Sequence, residues 1–152
     1  MVDETDVAIL TILQRNCRQT VAEISAQVSL SKSACHRRIK AMEDSGLIAN
    51  YVAKLSAKKL GYTIEMFVEV SLATQAEGAF EEFEKAVRVV PEVLECYLVG
   101  GQYDYLLRVI ATDADDYARI HRHQISRLPG VTRIQSSLSL RTVKAGWGIP
   151  LS

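Results

Sequence analysis

"SLSKSACHRRIKAMEDSG", Ser29 to Gly46, is the stretch whose reading decides the fold. Between Ser31 and Lys40 it holds Lys32, His36, Arg37, Arg38 and Lys40 and no acid, yet the 152-residue chain is neutral, with 18 Lys plus Arg against 18 Asp plus Glu. A cluster of positive charge on a balanced protein has to serve something local. Ser31 is a helix N-cap residue type, and Gly46 suits the left-handed position that closes a helix, so the spacing predicts a helix between them. At about 100° per residue, Lys32, Ser33, His36, Arg37 and Lys40 share an arc of roughly 140°. Cys35, Ile39 and Met42 form a separate apolar arc, so one face packs and the other presents hydrogen-bond donors. Arg38 falls outside the polar arc, where it is expected to snorkel or to pair with a neighbouring carboxylate.

A basic helix alone is more often just a solvated surface. Its surroundings change that reading. Upstream, "ETDVAILTILQRN" carries Val7, Ile9, Leu10, Ile12 and Leu13 on the broad apolar face of a helix. Thr20 and Glu23 have capping-box spacing at the start of a second helix, whose apolar stripe is Val21, Ile24 and Val28. "SLS" then turns the chain into the basic helix. A helix, a short turn and a second helix with donors on its open face form a helix-turn-helix, a DNA-binding layout. Residues 1–48 are therefore read as a three-helix DNA-binding domain of the winged type, with Ser31, Lys32, Ser33, His36, Arg37 and Lys40 as the residues that meet double-stranded DNA. "LIANYVAKLS" follows as a short strand, so 49–61 is expected to be a hinge strand or linker.

From Thr63 the period changes. Ile64, Met66, Val68, Val70 and Leu72 alternate with Glu65, Phe67, Glu69 and Ser71, the pattern of a half-buried strand. A helix with Phe80, Phe83 and Val87 leads through "PEV" to another strand. Strand, helix, "PGV" and strand then recur, with Pro91 and Val93 answered by Pro129 and Val131. Two such units give a βαββαβ, ferredoxin-like domain over 62–152, and an α+β chain overall. Both helices lie on one face of its sheet. The other face needs a cover, and the economical one is a second copy, sheet against sheet, which predicts an obligate homodimer.

Several classes are disfavoured. Cys17, Cys35 and Cys96 are odd in number with no C-x-x-C spacing, which argues against a disulfide framework and against zinc and fits a reducing cytoplasm. "MVDETD" is acidic where a signal peptide is basic, and no apolar run nears the roughly 18 residues of a membrane span. The chain is thus expected to be cytoplasmic, with no membrane association, no cofactor and no metal. His121 falls among Tyr117, Ile120, Gln124, Ile125 and Leu128 with no ligand partner at metal spacing, so it reads as a partly buried or interfacial side chain, and no enzyme is indicated.

"LVGGQYDYLLRV" places Gly100, Gly101 and Gln102 between two strands. A tight glycine turn accounts for it. The same geometry also offers exposed backbone N–H groups to a carboxylate and the Asp104 carboxylate to an ammonium, the two ends of an α-amino acid. Taken with "LSKSACHRRIKAMEDSGLI", "FVEVSL" and "LPGVTRI", this stretch resembles the Lrp/AsnC, or feast/famine, family of transcription factors across nearly the whole chain. The resemblance implies a DNA-binding N-terminal domain and a C-terminal domain that dimerises, assembles further, as an octamer, and binds an amino-acid effector where dimers meet. Gly100, Gly101, Gln102, Tyr103 and Asp104 match the effector segment. Two alternatives stay open: some proteins of this appearance are tetrapyrrole decarboxylase subunits using C-terminal histidines, and others could be sensors without DNA binding.

Overall fold

In a computed structural model of the chain, residues 1–146 and 148–151 are described, so Trp147 and Ser152 of the expected 62–152 domain lie outside the described residues. The N-terminal unit begins with α1, Glu4–Arg15, started by a capping box in which Asp3 accepts from the Asp6 N–H and the Asp6 side chain accepts from that of Asp3. α2, Val21–Gln27, has the box expected of Thr20 and Glu23. α3, Lys32–Asp44, starts where the Ser31 hydroxyl accepts from the Ala34 N–H at 3.2 Å, and Gly46 beyond its end takes φ +76°. Ile9, Leu10 and Leu13 of α1 pack with Ile24 of α2 and with Cys35, Ile39 and Met42 of α3 in one buried cluster. The apolar arc of the basic helix is thereby consumed, and its polar arc is left to solvent.

The expected hinge strand does not form. Strands exist by pairing, and among the described residues no element pairs with 49–57; the stretch then coils into a 3₁₀ turn at Lys58–Leu60, closed by Gly61 at φ +92°. Two compact units result: Met1–Lys54 together with the C-terminal residues from Lys144, and Leu55–Val143. This division departs from the expected single C-terminal domain, and the Gln14 amide exchanges two hydrogen bonds with the Ile149 backbone within the first unit.

The second unit follows the expected order: β1 (Ile64–Leu72), α4 (Glu77–Val87), β2 (Val93–Leu98), β3 (Tyr105–Ala111), α5 (Ala114–His123) and β4 (Val131–Leu138). Its sheet runs β2-β3-β1-β4, every pair antiparallel. The inward residues Val68, Val70, Leu107 and Val109 meet Phe83 and Val87 of α4 and Ile120 of α5 in the core. Tyr105 is held there by Phe83, with ring centroids 4.3 Å apart, and its hydroxyl donates to Glu84 at 2.8 Å. The opposite face mixes Phe67 and Tyr97, 39% and 54% exposed, with Arg108, whose guanidinium is 2.6 Å from Glu65 and 3.0 Å from Glu95. That face is therefore mixed, with ion pairs beside its exposed aromatic rings.

Candidate functional site

On α3, Lys32, Ser33, His36, Arg37 and Lys40 are all exposed. They are not equivalent. Ser31 spends its oxygen on the helix cap and lies 3.2 Å from the Ser33 hydroxyl, so it positions the first turn before it can meet any partner. Lys40 Nζ is 2.6 Å from Asp44 Oδ1, and that hydrogen bond raises the ammonium pKa and offsets its charge. Lys32 and Arg37 have no ion pair among the described residues. The first turn of α3 holds no acid, so its backbone N–H groups add to the same positive end. Donors of this kind suit phosphate oxygens and base edges.

Arg38 does what its angular position predicted. Its Nη1 lies 2.6 Å from Asp3 and 2.9 Å from Asp6, fastening α3 to the first turn of α1. The Asp6 N–H and then Arg38 hold the Asp3 carboxyl below its ordinary range, while Asp3 and then Asp6 push the guanidinium up. The side chain orients the basic face without belonging to it.

At the loop end of the second unit, the Val99 N–H donates to the Asp104 carbonyl at 2.9 Å, closing the β2–β3 hairpin. Gly100, Gly101 and Gln102 are exposed and Tyr103 is half-buried. Gly101 has φ +153°, and a side chain at Gly100 or Gly101 would meet nothing within 4 Å, so the loop backbone is open to a ligand. Asp104 differs from the expectation. It is buried, its Oδ2 accepts from the Leu72 N–H at 2.8 Å and its Oδ1 from Gln75 Nε2 at 3.0 Å. A carboxylate satisfied by the end of β1 anchors the loop; it is not displayed to a ligand ammonium.

A different acid stands nearby. Glu69, Ser71, Gln102, Tyr103, Arg133 and Gln135 line one hollow on the outer sheet face, next to the loop. The pairing of β1 with β4 sets Ser71 opposite Arg133 and Glu69 opposite Gln135. Glu69 has no ion pair among the described residues, and Arg133 makes only a 3.5 Å contact with Gln135. A carboxylate and a guanidinium without ion pairs, lining one hollow, can take an ammonium and a carboxylate. Alternation had put Glu69 and Ser71 on the polar face; only the strand order brings Arg133 to them.

His121 is half-buried, its ring 6.2 Å from that of Tyr117, and His123 is exposed. Among the described residues no group of His, Cys, Asp and Glu could hold a metal ion, and no helix is long and apolar enough to cross a membrane.

Two family models match: the winged helix-turn-helix DNA-binding model over residues 2–49 and the Lrp/AsnC ligand binding domain over 65–148. The chain is similar to the proline dehydrogenase transcriptional activator of Rhodobacter capsulatus, 41% identical and covering 94% of this chain and 93% of that protein. It is similar to the leucine-responsive regulatory protein of Haemophilus influenzae at 34% identity, covering 93% and 86%. A solved complex of a Neisseria meningitidis transcriptional regulator with L-methionine superposes with a TM-score of 0.94 at 38% identity, covering 99% of this chain and 97% of that one. With a winged helix-turn-helix, a ferredoxin-like sheet unit and relatives that are transcriptional regulators, the chain belongs to the Lrp/AsnC family of DNA-binding transcriptional regulators.

Proposed function

We propose that the chain binds DNA through Lys32, Ser33, His36, Arg37 and Lys40 and adjusts that binding to an α-amino acid held between the Gly100–Tyr103 loop and the Glu69–Arg133 hollow. The observation that carries this reading is the unpaired Glu69 beside the unpaired Arg133, under a loop with open backbone. Arg133 takes the ligand carboxylate, Glu69 its ammonium, and the loop N–H groups the remaining acceptor capacity. Asp104 belongs to the site as the anchor of the loop. L-methionine is the first ligand to try, because it is bound in the Neisseria relative. Phe67 and Tyr97 on the outer sheet face support a homodimer, and further assembly to an octamer would bring effector loops of different dimers together.

The DNA face works as the second helix of a helix-turn-helix in the major groove, with two copies of the chain reading half-sites about one turn apart or a multiple of it. A thermal-shift screen of the twenty amino acids tests the sensor, since a ligand of the native state raises the melting temperature by mass action. Glu69→Gln and Arg133→Ala should each abolish the shift seen in the wild type. A shift that survives both substitutions rejects the hollow as the site.

A further inference from the structure

Residues 144–151 group with the DNA-binding unit, although the chain reaches them directly from the sensor sheet. Gln14 on α1 holds Ile149 among them. Its Nε2 donates to the Ile149 carbonyl at 3.2 Å, and the Ile149 N–H donates to its Oε1 at 2.6 Å. Both bonds go to backbone, as in an antiparallel strand pair, so Gln14 reads the path of the tail and not its side chains. Beside this clasp, Ile149 and Leu151 line an apolar groove whose walls include Leu10, Leu13, Leu47 and Ile48. Ile149 and Leu151 thus form part of the groove's wall, and the hydrogen bonds from Gln14 are what hold Ile149 there.

We propose that this docked tail is a second tether, which carries the state of the sensor sheet to the DNA-binding unit. The sensor unit joins the DNA-binding unit at only two places in the sequence, before β1 and after β4. Those strands are neighbours, and the Ser139 N–H donates to the Glu65 carbonyl at 2.9 Å, so both connections leave the sheet from the same end. At the other end of the same two strands stand Glu69 and Ser71 on β1 and Arg133 and Gln135 on β4, with a register shift between Ser71 and Leu72. A ligand gripped across β1 and β4 acts on both connections at once. One flexible connection leaves the DNA-binding unit free to swivel; two restrict it to fewer orientations, and only the docked tail makes the second one effective.

The ligand step rests on the proposed effector site, whereas the docking does not. Gln14→Ala is a conservative probe, because Gln14 is exposed on a helix that alanine favours. Hydrogen exchange at the Ile149 amide, without ligand or DNA, should run at least about tenfold faster in Gln14→Ala than in the wild type. DNA affinity, also without ligand, should change at least about threefold in Gln14→Ala and in a chain ending at Val143, as expected when an effective concentration is lost. With L-methionine as probe, both variants should keep the thermal shift of the wild type but lose the effect of L-methionine on DNA affinity. Equal Ile149 exchange in wild type and variant, or unchanged DNA affinity in both variants, overturns the proposal. A wild type without any L-methionine shift counts against that effector, and the two ligand-free measurements then decide the tether by themselves.

Discussion

Asp104→Ala separates an anchor from a ligand contact. In the wild type Asp104 is 7% exposed, and its carboxylate accepts from the Leu72 N–H at 2.8 Å and from the Gln75 amide at 3.0 Å. Alanine leaves the Leu72 donor buried without a partner, a loss of about 1–3 kcal/mol, at the upper end when the lost acceptor is charged. For a chain of this length each kcal/mol corresponds to roughly 2–4 °C in melting temperature. A drop of several degrees is therefore expected for Asp104→Ala. Asp104→Asn keeps one carbonyl acceptor for Leu72 and should fall by less. Melting followed by circular dichroism gives the stability, and amino-acid titration of the same samples gives ligand affinity. An anchor loses stability first and ligand affinity only as the loop loosens. Unchanged melting temperature with ligand binding abolished would refute the reasoning and return Asp104 to direct ammonium contact.

Arg37→Ala should weaken DNA binding more than Lys40→Ala, whose charge Asp44 already offsets, and Asp44→Ala should strengthen it; gel-shift titrations that rank these variants otherwise reject the assigned face. Replacement of a phosphate contact also lowers the salt slope by about one. Arg38→Ala should lower the melting temperature at neutral pH. Because the Asp3 carboxyl is held below its unfolded value of about 3.9, the stabilisation is present above that pH and fades as pH falls further, so the gap between variant and wild type should close in acid. A gap independent of pH would mean that packing, not the ion pair, is what Arg38 supplies. Burial, and then the bond to Glu43 at 3.0 Å, pushes the Tyr51 phenol up to about 12. That contact stabilises fully below about pH 10, the unfolded value, and is lost as pH rises through 12; a tyrosine titration in which Tyr51→Phe removes no late-titrating phenol contradicts it. Native labelling with iodoacetamide should mark exposed Cys17 while sparing buried Cys35 and half-buried Cys96, whose thiol is pushed up to about 11 by its partial burial.

What could be read in the sequence was short in range. The Thr20–Glu23 box, the Ser31 cap and the division of α3 into a packed and a basic arc depend on residues within a turn or two, and all three are present. The sheet unit was legible because alternation and the repeated Pro-x-Val turn are written into the chain. The function of Asp104 was not, because its partners Leu72 and Gln75 lie 32 and 29 residues away and neither forms part of a motif. Glu69 and Arg133 come to line one hollow only through the pairing of β1 with β4. The hinge strand failed for the opposite reason: "LIANYVAKLS" has strand-like alternation, but alternation states a capacity to pair and cannot supply the neighbour. The stretch "KAGWGIPLS" has no periodicity to announce that Gln14 would hold Ile149.

The central claim is that one chain couples DNA binding to an amino acid. Its most direct test is the dissociation constant for a duplex enriched by this protein from a random pool, measured at fixed salt with and without the amino acid that gives the largest thermal shift. The account predicts an enriched, roughly palindromic sequence whose affinity changes about 5- to 150-fold with ligand, the range of an ordinary coupling free energy, and a ratio near one in Arg133→Ala. No enriched sequence, or an affinity that the bound ligand leaves unchanged, would contradict it.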